Sequence, residues 1–244
     1  LEWRLVSPVA LVFAWAIGMS ISIIMPCLNE EVGIGQAVER ALALRPHDLV
    51  VVDGGSGDGT AERARAAGAG QVLVTGRGRA LQQNAGVAAS TGETLLFLHA
   101  DCWLEPGSLA LVEAALADPA CVGGCFQQHI DAPGWRYRWL EWGNARRVAW
   151  WGLAYGDQAI FVRRSIFSAL GGFPPLPLME DLFFMRTLRE RGRLAQLAPR
   201  LHVSARRWQQ QGVVRQTARN WALTLAAHLG VSPERLVRFY PHVR

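Results

Sequence analysis

Short apolar runs recur through the first hundred residues of this 244-residue chain, and each stops at a polar or turn-forming residue. They read ISIIM at 21–25, DLVVVD at 48–53, QVLVT at 71–75 and TLLFLH at 94–99. Short runs rich in Val, Ile and Leu, with little polar alternation, suit strands buried on both faces. Between them, and after the last, lie segments with apolar residues at helical spacing, at 32–44, 60–67, 79–89 and 107–117. Strands joined by helices of this length form crossovers, so the chain is expected to be α/β, with a mostly parallel sheet covered by helices on both faces. Ligands of such sheets bind beyond the carboxyl ends of the strands, so the residues just after each run are the ones to read for chemistry.

After about Cys121 the rhythm changes. CVGGCFQQHI reads as a strand, YGDQAIFVRR (155–164) as another, and EDLFFMRTLRERGR as a helix. RQTARNWALTLAAHL reads as an amphipathic helix, and a short final helix starts near Ser232 and Pro233, where Pro suits a first turn. The aromatic and basic stretch from Trp135 to Trp151 is expected to pack as core, because Trp buries large areas. An acceptor pocket and an interfacial helix are its other readings. No repeat or linker interrupts the chain, so residues 19–210 are expected to form one domain in two parts, 19–128 and 129–210, followed by C-terminal helices at 211–244. Residues 1–18 stand apart as a leader. The uncharged stretch 5–28 has the length of a membrane span, but its second half is the first strand, and the rest is too short to cross a bilayer. Met19 is read as the natural start, with a membrane-associating leader as the rival reading.

The net charge of +5 is carried by Arg, since the chain has no Lys, and the basic residues form no single tract. Nucleic-acid binding is therefore not indicated. The cysteines, Cys27, Cys102, Cys121 and Cys125, lack zinc-ribbon spacing and fit a reducing, cytoplasmic setting. As strand residues, Cys121 and Cys125 are expected to face the same way.

The strand ends carry the candidate chemistry. PCLNEE follows the first strand: Asn29 and Glu30 suit helix capping or a ligand contact. DGGSGDGT follows the second, where Asp53 can meet a base or ribose hydroxyl and the glycines allow close backbone approach. The glycine fingerprint of dinucleotide oxidoreductases is absent after the first strand. GRGRALQQNAG follows the third: Arg77 and Arg79 at a helix start favour an anion such as a diphosphate. HADCW follows the fourth, where Asp101 is a hard oxygen ligand suited to Mg²⁺ or Mn²⁺, ions that keep waters and bridge to phosphates. Glu180 and Asp181 open a later helix, as dipole-stabilising acids or as a proton acceptor. Arg206, Arg207 and Trp208 could meet a phosphate and stack on a sugar, or simply pack on one another.

In this order the motifs resemble the family 2 glycosyltransferases, over roughly residues 20–208. The resemblance rests on SIIMPCLNEE, VVDGGSGDGT, GRGRALQQNAGVAASTGETLLFLHADC and GDQAIFVRRSIFSALGGFPPLPLMEDLFFMRTLRERG. The C-terminal SARRWQQQGVVRQTARNWALTLAAHLGVSPERLVRFY is similar to a bacterial subgroup labelled arsenosugar-biosynthesis glycosyltransferases. The resemblance implies a GT-A fold and a nucleotide diphosphate sugar donor. It implies that Pro26, Asn29, Glu30 and Asp53 meet the donor's base and ribose, and that Arg79 approaches the diphosphate. Asp101 matches the last acid of the family's Asp-x-Asp metal motif, reached through His99 and Ala100 on the donor side. Asp181, with Glu180 beside it, matches the acid pair that supplies the catalytic base, and Arg207 and Trp208 resemble an Arg-Trp pair near the donor phosphates. His99 departs from the pattern, standing where many members have Asp. The expected activity is an inverting, metal-assisted sugar transfer to a hydroxyl acceptor, with peripheral membrane contact as an open partner. A non-catalytic nucleotide-sugar-binding protein on the same fold is the alternative. A nucleotidyltransferase would need a phosphate-cradling loop that PCLNEE lacks.

Overall fold

The computed structural model describes residues 18–239, so nearly all of the leader lies outside the described residues. The chain runs β1 (Ile21–Cys27), α1 (Ile34–Ala43), β2 (Asp48–Asp53), α2 (Thr60–Ala66), β3 (Gln71–Val74), α3 (Arg79–Ala89), β4 (Thr94–Phe97), β5 (Cys102–Leu104) and α4 (Ser108–Leu116). It continues with β6 (Cys121–Asp131), α5 (Trp135–Trp151), β7 (Phe161–Arg163), α6 (Arg164–Ala169), α7 (Glu180–Leu188), β8 (Arg193–Ser204), α8 (Arg206–Gln211), α9 (Val213–His228) and α10 (Pro233–Leu236). The strands form one sheet in the order β3-β2-β1-β4-β7-β6-β8-β5.

The sheet has a parallel half and a mixed half. β1 pairs parallel with β2 and β4, and β2 with β3. β7 is antiparallel to both of its neighbours, β4 and β6; β6 is parallel to β8, and β5 antiparallel to it. The parallel half matches the apolar runs because β1 is buried at every position, with helices above and below. Ile34, Val38, Ala64 and Val112 of α1, α2 and α4 pack on one face with Ile23, Met25 and Val51. Val87, Val148, Phe167 and Phe184 of α3, α5, α6 and α7 pack on the other, with Ile24, Leu95 and Phe97. Each Val, Ile, Leu, Met or Phe among them contributes about 1.5–3 kcal/mol on burial.

Several expectations are corrected. The segment 155–164 is strand only at Phe161–Arg163; it begins with a 3-10 turn at Gly156–Gln158. The long strand β8 and the short β5 were not anticipated, nor was helix α6. Cys121 and Cys125 face opposite sides of the sheet, because a bulge shifts the register of β6 between Cys121 and Gly123. All four cysteines are buried, and none is in a disulfide. Gly124 marks the tightest point of the seam: a Cβ there would lie 2.0 Å from the Ala195 carbonyl oxygen, so only Gly lets β6 lie between β7 and β8. The stretch Trp135–Trp151 forms one helix, but its Trp side chains lie mostly exposed rather than in the core, while Arg147 and Val148 are its buried residues. Among the described residues, no helix is long and apolar enough to cross a membrane.

Candidate active site

The parallel strands end along one edge, and the order reverses between β1 and β4, the point at which open α/β sheets bind ligands. The loops after β1 and β2 are tied together there. The Asn29 N–H donates to Ser56 Oγ at 2.8 Å, and Asn29 Oδ1 accepts the Gly57 N–H at 3.0 Å. Asn29 takes a left-handed backbone (φ 51°) to make these bonds; helix α1 begins later, with Gly33 at its N-cap. The Glu30 N–H donates to Thr60 Oγ1 at 2.8 Å. The Asp58 carboxyl is held below the usual carboxylate range by the Thr60 hydroxyl and by N–H groups of Thr60 and Glu31. Asp53 is buried at the end of β2 and accepts both the N–H and the hydroxyl of Ser56. Pro26 is buried within β1. The Cys27 thiol beside Asp53 is pushed up to about 12, first by burial and then by the charges of Asp53 and Asp58, which keeps it protonated and unreactive.

A cleft of about 110 Å³, partly open to solvent, lies next to these loops. Arg79, His99, Asp101, Asp181 and Trp208 of α8 line it, and Gln216, Asn220 and Thr224 of α9 contribute a further wall. Ala100 instead packs its methyl against the core and serves as the spacer between His99 and Asp101. The Asp101 carbonyl accepts the Ser204 N–H at 3.0 Å, tying the turn after β4 to the end of β8. His99 is buried, and its ring lies against Gly156.

The acid pair sits at the first turn of α7, where the helix dipole favours negative charge. Both acids are buried. Asp181 Oδ2 accepts the Gly156 N–H at 2.5 Å, and Oδ1 lies 2.7 Å from the Leu182 N–H. These bonds aim one carboxylate into the cleft while leaving lone pairs for a proton. Glu180 is set back from the lining, and its carboxylate lies 3.9 Å from the Arg79 guanidinium. Burial pushes Glu180 up to about 7; Arg79 opposes the rise and Asp181 adds to it. A methyl at Gly156 would lie 2.8 Å from His99 Nε2 and 3.3 Å from Asp181 Oδ2, so the absence of a side chain there brings imidazole and carboxylate together.

Sequence reasoning missed part of this cleft. Tyr155 lines it with its hydroxyl 2.6 Å from Thr224 Oγ1, and the Arg147 guanidinium lies 3.4 Å from the Tyr155 ring centre. Gln216, Asn220 and Thr224 recur every fourth residue along α9 and present a polar stripe to the cleft. That i, i+4, i+8 spacing of uncharged polar residues along the helix was the signal available. Gln82 was also missed: its Nε2 donates at 2.8 Å to the carbonyls of both Cys27 and Val52, bracing the ends of β1 and β2. Glu30 pairs at 3.0 Å with Arg206; the Arg207 side chain lies outside the described ones. The predicted residues therefore fall into two groups. Arg79, His99, Asp101, Asp181 and Trp208 share the cleft, whereas Pro26 lies within β1, Asp53 ends β2, and Asn29 and Glu30 belong to the loop between β1 and α1.

A sheet with this order, helices on both faces and acids gathered beyond its parallel edge defines the GT-A class of α/β fold. Residues 22–171, more than half of the chain, match the family described as Glycosyl transferase family 2, and the chain belongs to that family. A mannosyltransferase from Pyrobaculum calidifontis, solved in complex with GDP-Man and Mn²⁺, superposes with a TM-score of 0.64 at 20% identity, covering 87% of this chain and 62% of the other. Glucosyl-3-phosphoglycerate synthase from Mycobacterium tuberculosis, in complex with Mn²⁺, UDP-Glc and phosphoglyceric acid, has a TM-score of 0.56 at 22% identity, covering 74% and 70%. The curated glucosyl-3-phosphoglycerate synthase of Mycolicibacterium smegmatis is 35% identical over 97 residues, which is 34% of this chain and 31% of that protein. The chain thus spans about a third of the curated relative it matches.

Proposed function

We propose that the protein transfers a sugar from a nucleotide diphosphate sugar to a hydroxyl acceptor, with inversion at the anomeric carbon. The observation that carries this reading is the Asp181 carboxylate, buried and aimed by the Gly156 N–H into a cleft that Arg79 and Asp101 also line. Asp181 takes the proton of the acceptor hydroxyl as its oxygen bonds to the anomeric carbon. The bond from that carbon to the diphosphate oxygen breaks on the opposite face. Arg79 neutralises charge on the departing diphosphate, and the positive end of α3, which it opens, acts in the same sense. Asn29 and Asp53, on loops braced by Ser56 and Gln82, meet the base and ribose. The indole of Trp208 offers a flat surface for the sugar, and the polar stripe of α9 meets the acceptor.

The donor set fits a divalent cation held jointly with substrate. Among the described residues no group of three or more His, Cys, Asp or Glu could hold a metal by itself. Asp101 would hold the ion through a hard carboxylate oxygen, a ligand type that suits Mg²⁺ or Mn²⁺. When bound, the ion would offset negative charge on the diphosphate. The solved mannosyltransferase and synthase complexes, which contain Mn²⁺ with a nucleotide sugar, support this choice.

A panel of nucleotide sugars read by mass spectrometry, with Mn²⁺ or with EDTA, tests the reaction. The subgroup resemblance supports including arsenic-bearing alcohols among the acceptors. Asp181→Asn should lower turnover by about 10²–10⁴ with donor affinity retained. Wild-type turnover in that variant would remove Asp181 from the role of base.

A further inference from the structure

Helix α5 carries its aromatic face outward. Trp135, Trp139, Trp142 and Trp150 are each between 52% and 73% exposed. At 100° per residue these positions, with Arg146, fall within one narrow stripe, about 22 Å long at 1.5 Å per residue. The Arg146 guanidinium lies 4.8 Å from the Trp142 ring centre and 5.7 Å from that of Trp150, so cation and indoles form one continuous surface. Helix α9 extends it. Trp221, Leu225 and Leu229 are exposed along one face, and a methyl at Gly143 of α5 would lie 3.9 Å from the Trp221 ring. The charges are all of one sign: Arg136, Arg146 and Arg215 are exposed, and α9 contains no acid. The acid of α5, Glu141, is turned inward, accepting the Ile130 N–H at 2.5 Å and pairing with Arg138 at 2.9 Å.

We propose that this two-helix face docks the protein on an anionic lipid surface, with α5 lying in the interface plane. Tryptophan favours the boundary between headgroups and acyl chains, where its ring is buried and its N–H stays wet. Arginines interspersed with indoles on a single stripe suit anionic headgroups. A symmetric second copy is the poorer occupant, because a two-fold contact sets the same cationic surface against itself. The face also adjoins the cleft: a short connection from the end of α5 at Trp151 leads to Tyr155 and Gly156, and Arg147 of α5 stacks on Tyr155. Docking would therefore bring the acceptor side of the cleft close to the headgroups.

Co-sedimentation of the full chain with phosphatidylcholine vesicles, and with vesicles containing roughly one-third phosphatidylglycerol, tests this. Binding should require the anionic lipid and fall as salt is raised. A Trp139→Ser, Trp142→Ser, Trp150→Ser variant should bind at least about tenfold more weakly at an unchanged melting temperature. Arg136→Glu with Arg146→Glu should do the same, and it keeps the test sound if the Trp variant folds poorly. No binding by the wild type would overturn the proposal. So would equal binding by wild type and both variants, which would assign the contact to another part of the chain such as residues 1–17. A concentration-dependent dimer that the Trp substitutions abolish would give the face to a second copy instead.

Discussion

Replacing Glu180 by Gln should stabilise the protein, by an amount that grows as pH rises from about 4.5 to about 7. The carboxyl is 3% exposed, and burial raises it from 4.5 to about 7 despite the Arg79 guanidinium 3.9 Å away. A raised value means that the folded state holds the proton more tightly than the unfolded chain. The resulting stability is fully present below 4.5 and is lost as pH rises through about 7. At about 1.4 kcal/mol per pH unit, that loss approaches ~3 kcal/mol at pH 8. Glutamine keeps the shape and does not ionise, so Glu180→Gln should gain most of this at pH 8 and little near pH 5. For a chain of this size the gain corresponds to a melting temperature higher by about 5–10 °C. Arg79, at 38% side-chain exposure, can turn to water once the carboxylate is gone. Thermal melts of wild type and variant from pH 5 to pH 8.5 are the assay, and they need no substrate. A difference that is flat with pH, or a variant less stable at pH 8, would refute the reasoning. Either result would mean that the ion pair with Arg79 outweighs desolvation.

Further outcomes follow from the same geometry. Asp101→Ala should reduce Mn²⁺-dependent donor binding in calorimetry, and identical affinity with and without the ion in the wild type would remove the metal role. Gly156→Ala places a methyl 2.8 Å from His99 Nε2, so it should cost about 1–3 kcal/mol of stability by urea unfolding and lower kcat by about 10² through displacement of Asp181. His99→Asp should change donor affinity more than metal dependence, and the reverse pattern in a Mn²⁺ titration would make position 99 a metal-side residue.

The parallel half of the fold was legible because its signals are local. The runs at 48–53 and 79–89 coincide with β2 and α3, since a buried strand or an amphipathic helix shows its period within one window. Asp101 and Asp181 were legible for the same reason: each directly follows an apolar run or opens a helix. The mixed half was not. Strand β8 contains Arg193, Gln196, Pro199 and Arg200, and its irregularity against β6 breaks any simple alternation. The outward Trp face of α5 inverted the usual rule that Trp is buried, because what decides its position is Arg147 packed beneath Tyr155 and Val148 in the core. Which Arg reaches Glu30 was equally hidden: Arg206 does so across 176 positions of sequence, a pairing set by tertiary structure alone.

The unanticipated strand is also what completes the cleft. Cys102 pairs with Val203 across β5 and β8, and the Asp101 carbonyl accepts the Ser204 N–H, so the turn that carries His99 and Asp101 is bound to the end of β8. β8 leads through Ala205 into α8, which sets Trp208 in the cleft, and α8 leads into α9 with its Gln216, Asn220 and Thr224 stripe. The residues after β4 and those of the α9 wall are thus joined by continuous backbone and a ladder of hydrogen bonds rather than by side-chain contact alone. Asp181 reaches the same space from α7, held by Gly156 in the turn before β7. The loops after β1, β2, β3 and β4 lie within the residues shared with the family, whereas Asp181, Trp208 and the α9 wall lie beyond residue 171. A polar wall of amides and hydroxyls discriminates strongly between acceptors, since a missing partner leaves a buried polar group unpaired. If α9 meets the acceptor as proposed, choice of acceptor belongs to residues beyond 171, outside the matched family region.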